Sequence, residues 1–391
     1  MSHHYFDHAA SAPRRDEVTE AMAPWMHGVV GNPSGSHRAA RDARRAVEEA
    51  RDVVAAFVGA KPGGVIFTGG GTESCTLAVS GVTRAHSRAH AHTTIVHSAV
   101  EHHAVIDAAR MMADSLPSVE VREVAVDEDG VLDLEALHDT LDETVALVSV
   151  MSVNNETGVV QPLDAVASAV AARGVGHVVT HTDAIAGAPW LDLATFAVSM
   201  DAVSLCGHKL GGPVNSGALI LRRELVIEAM MPGGGQERGR RGGTVDVAAC
   251  VGLAAAVRSV EKERLAGHDL VREFQLKLRT ALAALPGARV TAPGVTTVPG
   301  TVHLTFEGLA SDELLFLLDQ DGVYASAASS CSSGAAVSSH VLAAMGVAPD
   351  RARGSLRLTM GRETTAEDVD SAISAVTRAV DRLTTESKAR G

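Results

Sequence analysis

The sequence predicts an α/β fold, with a mostly parallel central sheet flanked by helices and a smaller α+β domain beside it. Three observations support this. The chain of 391 residues is 46% hydrophobic and 21% charged, so it can bury a large core. From about residue 36 to 260, amphipathic helical stretches alternate with short β-branched runs, a pattern typical of βαβ units. Beyond residue 260 that regular alternation stops.

The large domain is expected to span residues 15–260. A helix is predicted over Ser36–Val58, where small or apolar residues recur at helical spacing after the turn-forming Asn32-Pro33. Short apolar runs then predict the strands, with helices between most of them. These strands are Val65–Thr68, Thr93–His97, Val119–Ala125, Val145–Val150, His177–Thr180, Ala202–Leu205 and Gly217–Leu221.

The smaller domain is expected to combine residues 1–14 with residues 261–391. The glycine- and arginine-rich segment Met231–Gly243 before it predicts a long functional loop, because it cannot form a regular element. The elements predicted after this loop are helices at Val245–Lys262, Leu270–Leu285 and Thr364–Thr384, and strands at Thr301–Phe306, Val323–Ala325 and Ser355–Leu358.

Charge and cysteine content exclude several classes of protein. With 34 Lys and Arg against 47 Asp and Glu, the net charge of -13 disfavours nucleic acid and anionic membranes as partners. No apolar run is long enough for a membrane span. The four cysteines form no C-x-x-C pair, so neither a zinc knuckle nor a disulfide framework is predicted. We expect a cytoplasmic protein in a reducing compartment.

A metal site is not expected either. Six histidines fall between residues 86 and 103, but His90 and His92 flank a loop and a strand without sharing one face. A solvated surface is the preferred interpretation of this histidine-rich stretch. The arginines of segment 231–243 lack the interleaved aromatic residues of a single-strand nucleic-acid site.

Three features indicate where chemistry could occur. The turn Gly69-Gly70-Gly71 joins a strand to a helix, and such a turn either binds an anion or only reverses the chain. Asp183 follows a predicted strand and either pairs with a cationic ring nitrogen or caps a helix. Lys209 follows another strand and is either a reactive amine or an exposed loop residue. Their order along the chain matches that in aspartate-aminotransferase-like pyridoxal phosphate enzymes.

Several motifs in order resemble the cysteine desulfurases of the class V aminotransferase group, the NifS and IscS type. The resemblance covers almost the whole chain and implies a fold-type I enzyme that depends on pyridoxal 5'-phosphate. The motifs are FDHAASAP (6–13), GNPSGSHRAAR (31–41), FTGGGTES (67–74), VEHHAV (100–105), VNNETG (153–158), HTDA (181–184), GHKLGGP (207–213), GGGQERGRRGGT (233–244), SCSSG (330–334) and RGSLRLTMGR (353–362).

The resemblance implies a role for each matching residue. Lys209 would hold the cofactor covalently, Asp183 would pair with its ring nitrogen, and His102, rather than its neighbour His103, would stack on the ring and assist proton transfer. The substrate carboxylate would bind to Arg357. The remaining contacts implied are those of Gly71, Thr72, His208 and a partner subunit's Thr244 to the phosphate, and of Asn155 to the ring hydroxyl and substrate.

The implied reaction converts L-cysteine to L-alanine and leaves the sulfur on Cys331 as a persulfide, for an acceptor protein or thiol. Small polar residues surround Cys331, as expected of an accessible loop, whereas Cys250 is interpreted as a buried small hydrophobe. The resemblance also implies a homodimer. Whether the sulfur goes to iron–sulfur clusters, tRNA thiolation, another cofactor or a secondary metabolite stays open.

Three departures from the family pattern are present, one of which is Ala328-Ser329-Ser330-Cys331 in place of the usual Gly-Ser-Ala-Cys. Ala186 stands where a glutamine usually contacts the ring hydroxyl, and Cys206 stands where a phosphate-binding serine is common. These departures favour a divergent desulfurase. They leave open a selenocysteine lyase or specialised carbon–sulfur lyase on the same fold, and a non-catalytic sulfur-relay or scaffold subunit. A nucleotide-binding oxidoreductase is disfavoured because no G-x-G-x-x-G follows a strand.

Overall fold

A computed structural model describes residues 3–28, 31–174, 176, 178–222, 224–327 and 339–390. Its strands are β1 (His4–Tyr5), β2 (Val65–Thr68), β3 (Thr93–Ser98), β4 (Val119–Val124), β5 (Val145–Ser149), β6 (Val179–Asp183), β7 (Ala202–Cys206), β8 (Gly217–Leu221), β9 (Ala288–Val290), β10 (Thr301–Phe306), β11 (Val323–Tyr324) and β12 (Ser355–Thr359).

The helices follow the predicted alternation with these strands. They are α1 (Asp16–Met26), α2 (Arg38–Phe57), α3 (Gly71–Ser87), α4 (His103–Ser115), α5 (Leu134–Thr140), α6 (Leu163–Arg173), α7 (Leu193–Phe196), α8 (Val247–Ala266), α9 (Asp269–Ala283), α10 (Ser311–Gln320), α11 (His340–Ala344), α12 (Pro349–Ala352) and α13 (Ala366–Arg390). Short 3-10 turns occur at Pro62–Gly64, His208–Leu210 and Gln236–Gly239.

The large sheet has seven strands in the order β2-β8-β7-β6-β5-β3-β4. β8 runs antiparallel to both of its neighbours, and the other pairs are parallel. This arrangement confirms the α/β class and the mostly parallel sheet. Because parallel strands point the same way, β3, β5, β6 and β7 all end at one edge of the sheet.

Helices cover both faces of the large sheet, and side chains alternate between the two layers. Ile66 and Leu219 pack with α3 and α4, whereas their neighbours Phe67 and Ile220 pack with α2 and α8. This alternation is what a strand with both faces buried requires, and it explains why the strands read as near-continuous apolar runs. The two layers therefore hold the carboxyl edge of the sheet in a fixed position.

A second, antiparallel sheet has the order β12-β10-β9, and α9, α10 and α13 pack with it around Phe306 and Leu358. The chain start joins this unit, because β1 pairs in parallel with β11. The division at residues 14/15 and 260/261 stays a prediction; α8 itself continues through residue 260.

The strand predicted at His177–Thr180 differs most from the structure, where β6 occupies Val179–Asp183 and residue 177 lies outside the described part. Thr182 and Asp183 are polar, yet their backbones continue the ladder opposite Val203 and Ser204. Tertiary pairing thus extends the strand past its apolar residues, and it places Asp183 within the sheet.

The described residues contain neither a membrane-spanning helix nor a cluster suited to a metal ion. None of their helices combines the length and apolar character needed to cross a bilayer. Nor do three or more of their His, Cys, Asp or Glu side chains gather closely enough to bind a metal ion.

Candidate active site

A cavity of about 310 Å³ lies at the carboxyl edge of the large sheet, the edge at which α/β proteins bind ligands. β6 ends there at Asp183, and β7 ends at Cys206, just before the turn with His208 and Lys209. Eight residues proposed from the sequence line this cavity together: Gly71, Thr72, His102, Asn155, Asp183, His208, Lys209 and Arg357.

The glycine turn between β2 and α3 forms one end of the cavity. Gly70 has a φ of +146°, and a Cβ on Gly71 would lie 2.3 Å from Ile185 Cδ1, so side chains are excluded here. The 17-residue helix α3 begins at Gly71, and its first N–H groups have no helical acceptors. His208 adds an Nδ1 atom that is buried without a hydrogen-bond partner. This end of the cavity is suited to an anionic group.

Asp183 is buried and supplies negative charge elsewhere in the cavity. Its Oδ1 accepts a hydrogen bond of 2.9 Å from the N–H of Ile185, which fixes the carboxylate at the strand end. Lys209, on the turn after the neighbouring strand, supplies an amine to the same cavity. The arrangement combines an anion-binding end, a carboxylate and an amine within one enclosed space.

His102 caps the N-terminus of α4, where its Nδ1 accepts a hydrogen bond of 3.0 Å from Ala104 N. Burial lowers the pKa of His102, an effect that Asp183 opposes and Lys209 reinforces. The ring is therefore held neutral near pH 7. His103, by contrast, is exposed and lies 3.8 Å from Asp107, as expected of a solvated histidine.

Arg357 lies in β12, so the small sheet contributes one side chain to the lining of the cavity. Its guanidinium donates to Asp7 Oδ1 and to the Asn155 carbonyl, both at 2.8 Å, while its Nε is buried without a partner. Sequence reasoning assigned no role to Asp7, although the motif at residues 6–13 contains it. Asp7 and Asn155 fix the plane of the guanidinium, which a bidentate carboxylate contact requires.

A buried polar network beneath the cavity was also missed. His181 in β6 bonds through Nδ1 to Ser149 in β5 (2.8 Å) and through Nε2 to Ser204 in β7 (2.9 Å). Glu101 receives hydrogen bonds from the Met151 N–H and from Ser149 Oγ. Burial lowers the pKa of His181 to about 4 and raises that of Glu101 well above its usual value. The sequence contains one indication of this network. His181 and Asp183 are two residues apart, so in a strand their side chains share one face.

Two of the three departures from the family pattern, Ala186 and Cys206, line this cavity, and the third, at residues 328–331, lies outside the described residues. Ala186 contributes only a methyl group to its wall. Cys206 is fully buried, and burial raises its pKa to about 11, so its thiol is neutral near pH 7. Cys250 is buried in the large core, which confirms its interpretation as a small hydrophobe.

Of the proposed set, Thr244 is described by the structure but does not line this cavity. Thr244 is exposed and lines a separate cavity with Phe67, Asn215 and Arg241. Cys331 lies outside the described residues. The roles assigned to the site residues remain hypotheses.

Comparisons with known proteins agree on one family. The model for aminotransferase class V matches residues 4–371. An IscS-like cysteine desulfurase from Mycobacterium tuberculosis is 41% identical over 97% of this chain and 96% of its own length. A cysteine desulfurase IscS from Methanosarcina thermophila is 33% identical over 97% of this chain and 92% of its own.

Solved structures give the same result. A NifS-like protein superposes with a TM-score of 0.90 at 30% identity, covering 97% of this chain and all (100%) of that one. SspA in complex with cysteine superposes with a TM-score of 0.79 at 28% identity, covering 91% of this chain and 98% of that one.

Proposed function

The chain belongs to the aminotransferase class V family, and from that premise we propose that it is a cysteine desulfurase. It converts L-cysteine to L-alanine and receives the sulfur on Cys331. The observation that carries this proposal is the convergence of Lys209, Asp183 and His102, which come from three separate stretches of sequence, in one cavity.

The residues present fit pyridoxal 5'-phosphate. The start of α3 at Gly71 and Thr72 and the unpartnered Nδ1 of His208 suit its phosphate, and the buried carboxylate of Asp183 suits its protonated ring nitrogen. Lys209 supplies the amine that would hold it covalently. When bound, this cofactor supplies an electron sink for bond changes at the substrate's α and β carbons.

Lys209 and His102 are the groups placed to move protons. The amine of Lys209 would take the α-proton of the substrate once released from the cofactor, and would later return a proton. His102 is kept neutral by burial, and because its Nδ1 accepts from Ala104 N, its Nε2 carries the proton and would act as a hydrogen-bond donor near pH 7. Arg357, oriented by Asp7 and Asn155, would bind the substrate carboxylate and hold the α carbon in place.

The sulfur step requires the thiolate of Cys331. Its sulfur forms a bond to the substrate sulfur while the carbon–sulfur bond breaks, and the β carbon keeps the electron pair and takes up a proton. Cysteine plus the enzyme thiol thus give alanine plus an enzyme persulfide, with no external oxidant. The persulfide would pass its outer sulfur to an acceptor protein or thiol. Thr244 would act across a homodimer, from the partner subunit.

The test is release of sulfide and alanine from L-cysteine in the presence of a thiol reductant, with the visible absorbance of the cofactor recorded in parallel. We expect equal molar amounts from the wild type and a loss of roughly three orders of magnitude in Cys331→Ala and Lys209→Ala. Cys250→Ala is the matched control and should retain activity. Activity that survives Cys331→Ala would refute the persulfide mechanism.

A second candidate is a lyase on the same fold that acts on selenocysteine or on larger thioethers. The observation that favours it is Ala186, because a methyl group leaves room in the cavity wall. Competition of each compound against L-cysteine separates the candidates. A kcat/KM for selenocysteine or a thioether well above that for cysteine would replace the desulfurase assignment.

A further inference from the structure

A second cavity of about 280 Å³ adjoins the active-site cavity. The two share wall residues, among them Asn155, Ala186 and Lys209. Ala327 and Ser339, which flank the segment outside the described residues, do not line it. Its apolar wall comes from both parts of the fold: Ile185, Pro189, Trp190, Val260, Leu270, Val271, Val298 and Met360.

Ala186 lies at the junction of the two cavities. Because it lines both, any longer side chain at this position would project into the space they share. The far wall is rigid: a Cβ on Gly300 would lie 2.0 Å from Cζ2 of Trp190, so the indole packs directly against backbone. The small side chain of residue 186 therefore leaves the junction between the two cavities open. The opposite wall of the second cavity is tightly packed.

The charged groups at this wall neutralise one another. Arg15 forms a two-point ion pair with Glu263, and Arg362 pairs with Glu363. Burial raises the pKa of Glu363, but His8, 3.7 Å away, and a hydrogen bond from Arg362 outweigh this and hold it at about 2. A bound ion would find no uncompensated partner among these residues. The cavity therefore suits an uncharged group.

Two polar ring atoms in the wall lack a hydrogen-bond partner, and one of them, His8 Nε2, lies 3.7 Å from the Glu363 carboxylate. His268 Nε2 is buried without a hydrogen-bond partner, and its ring lies edge-on to Trp190 at 5.0 Å. Burial also lowers the pKa of His268, so the ring is neutral near pH 7. The wall thus offers an aromatic face and, at His268, a neutral hydrogen-bonding atom, which fits an apolar or aromatic group with few polar atoms.

We propose that the second cavity is a subsite for an uncharged apolar group carried on the sulfur of a cysteine derivative, whose amino-acid end binds at Lys209 and Arg357. The placement of the amino-acid end rests on the proposed function. The apolar end rests on the cavity itself, which opens toward Lys209 and Asn155. At about 280 Å³, the cavity has room for a group as large as benzyl.

The test measures binding of S-benzyl-L-cysteine and S-methyl-L-cysteine to the holoenzyme by calorimetry. We expect Ala186→Gln to weaken binding of the benzyl compound roughly tenfold or more, because a buried phenyl ring contributes at least that much affinity. Binding of the methyl compound, which is too short to fill the cavity, should change little. Equal losses for both compounds would overturn the proposal.

The cavity mouth has a matched pair of control variants on α8. Ala266 is exposed and lines the cavity, whereas Leu265 is 77% exposed and does not. Ala266→Phe should therefore weaken binding of the benzyl compound, whereas Leu265→Phe should leave that binding unchanged. Emission from Trp190, isolated by subtracting the Trp190→Phe protein, should respond only to the benzyl compound. An unresponsive Trp190 would overturn the proposal.

Toluene, which has no amino-acid end, distinguishes failure of the subsite from failure of the proposed function. If toluene binds at Trp190 and S-benzyl-L-cysteine binds no more tightly, the amino-acid end is misplaced and the proposed function fails with it. If neither binds while S-methyl-L-cysteine does, the subsite is wrong and the proposed function stands. We expect both to bind, with the cysteine derivative tighter.

Discussion

Two buried carboxylates, in two regions of the molecule, differ in their partners and in their charge. Glu237, in the glycine- and arginine-rich loop, forms a two-point ion pair with Arg51 at 2.8 Å and accepts from Phe67 N. Glu101, beneath the active-site cavity, accepts from Met151 N and Ser149 Oγ and has no cation among its described partners. One carboxylate is charged and paired, and the other is driven toward its neutral form.

The difference shows how each region is held. The ion pair fixes a loop in which Glu237 and Arg238 have left-handed backbones, with φ of 47° and 58°. Losing one partner there leaves a buried charge. Beneath the cavity, hydrogen bonds among neutral groups hold three strands together, so the charge of Asp183 faces no second ionised carboxylate from Glu101. The first region is stabilised by an ion pair, and the second is stabilised by hydrogen bonds among neutral groups.

Among the variants considered, Glu237→Gln should reduce the stability of the protein most, because it breaks the buried ion pair with Arg51. Arg51 is 5% exposed and would keep only the exposed Glu48, 3.2 Å from its Nε, as an ionic partner, at a cost near the lower end of about 3–5 kcal/mol in the free energy of unfolding. Urea unfolding at pH 7 measures it. The control is Glu228→Gln at the exposed pair with Arg88, which should not change stability measurably. The double variant Arg51→Met, Glu237→Leu should recover most of the loss, because neither charge then remains.

His181 should give the next largest effect, and only in acid. Because burial holds its folded-state pKa at about 4, below the unfolded value of 6.5, stability is lost as the pH falls from about 6.5 to 4. The contribution is about 3 kcal/mol over that range. His181→Asn should abolish this part of the acid loss in pH-dependent unfolding. His303→Asn, which removes another buried histidine, should leave the His181 contribution in place.

Glu101→Gln tests the second carboxylate, and its effect on stability should grow as the pH rises. A raised folded-state pKa means that the stability from Glu101 is complete below its unfolded pKa and is lost as the pH rises through the folded value. The amide cannot ionise. Unfolding measured from pH 5 to 8 should therefore show the variant gaining on the wild type by up to about 1.4 kcal/mol per pH unit. A constant difference across this range would contradict a neutral Glu101.

Ser204→Ala should give the smallest effect. It removes the hydroxyl that bonds His181 Nε2 and leaves that nitrogen buried without this partner, at a cost of about 1 kcal/mol. Thermal unfolding at pH 7 measures the loss. Ser168→Ala, an exposed serine whose hydroxyl bonds only its own helix backbone, is the control and should be close to neutral. Equal losses in the two variants would show that the network contributes nothing.

Much of the fold follows from local patterns, because apolar runs and turn residues act over short distances. Ten predicted strands all appear in the structure, and even the shifted β6 lies within a few residues of its prediction. Lys209 and Asp183 could be located because each directly follows or ends a strand, and parallel strands bring such residues to one edge. Their chemical roles came from the family resemblance.

The rest depends on contacts that no local pattern encodes. Asp7 reaches Arg357 across 350 residues of sequence. Glu101 and His181 are polar residues whose burial becomes evident only when three strands and a helix are assembled. The second cavity requires Trp190 to pack against Gly300, 110 residues later in the sequence numbering, and a small residue at position 186. Such features arise from tertiary packing.

The pairing of the two chain ends has a consequence for how the protein is made. β1 pairs with β11, Thr359 N–H donates to the Phe6 carbonyl at 2.7 Å, and His4 bonds Asp368 at 2.6 Å. On the ribosome, residues 4–6 must therefore wait until residues 323–368 have been translated before they find these partners. The large sheet can form earlier, whereas the contact between Arg357 and Asp7 is among the last to form. A nascent chain would therefore assemble the edge of the large sheet before the arginine from the small sheet completes the cavity there.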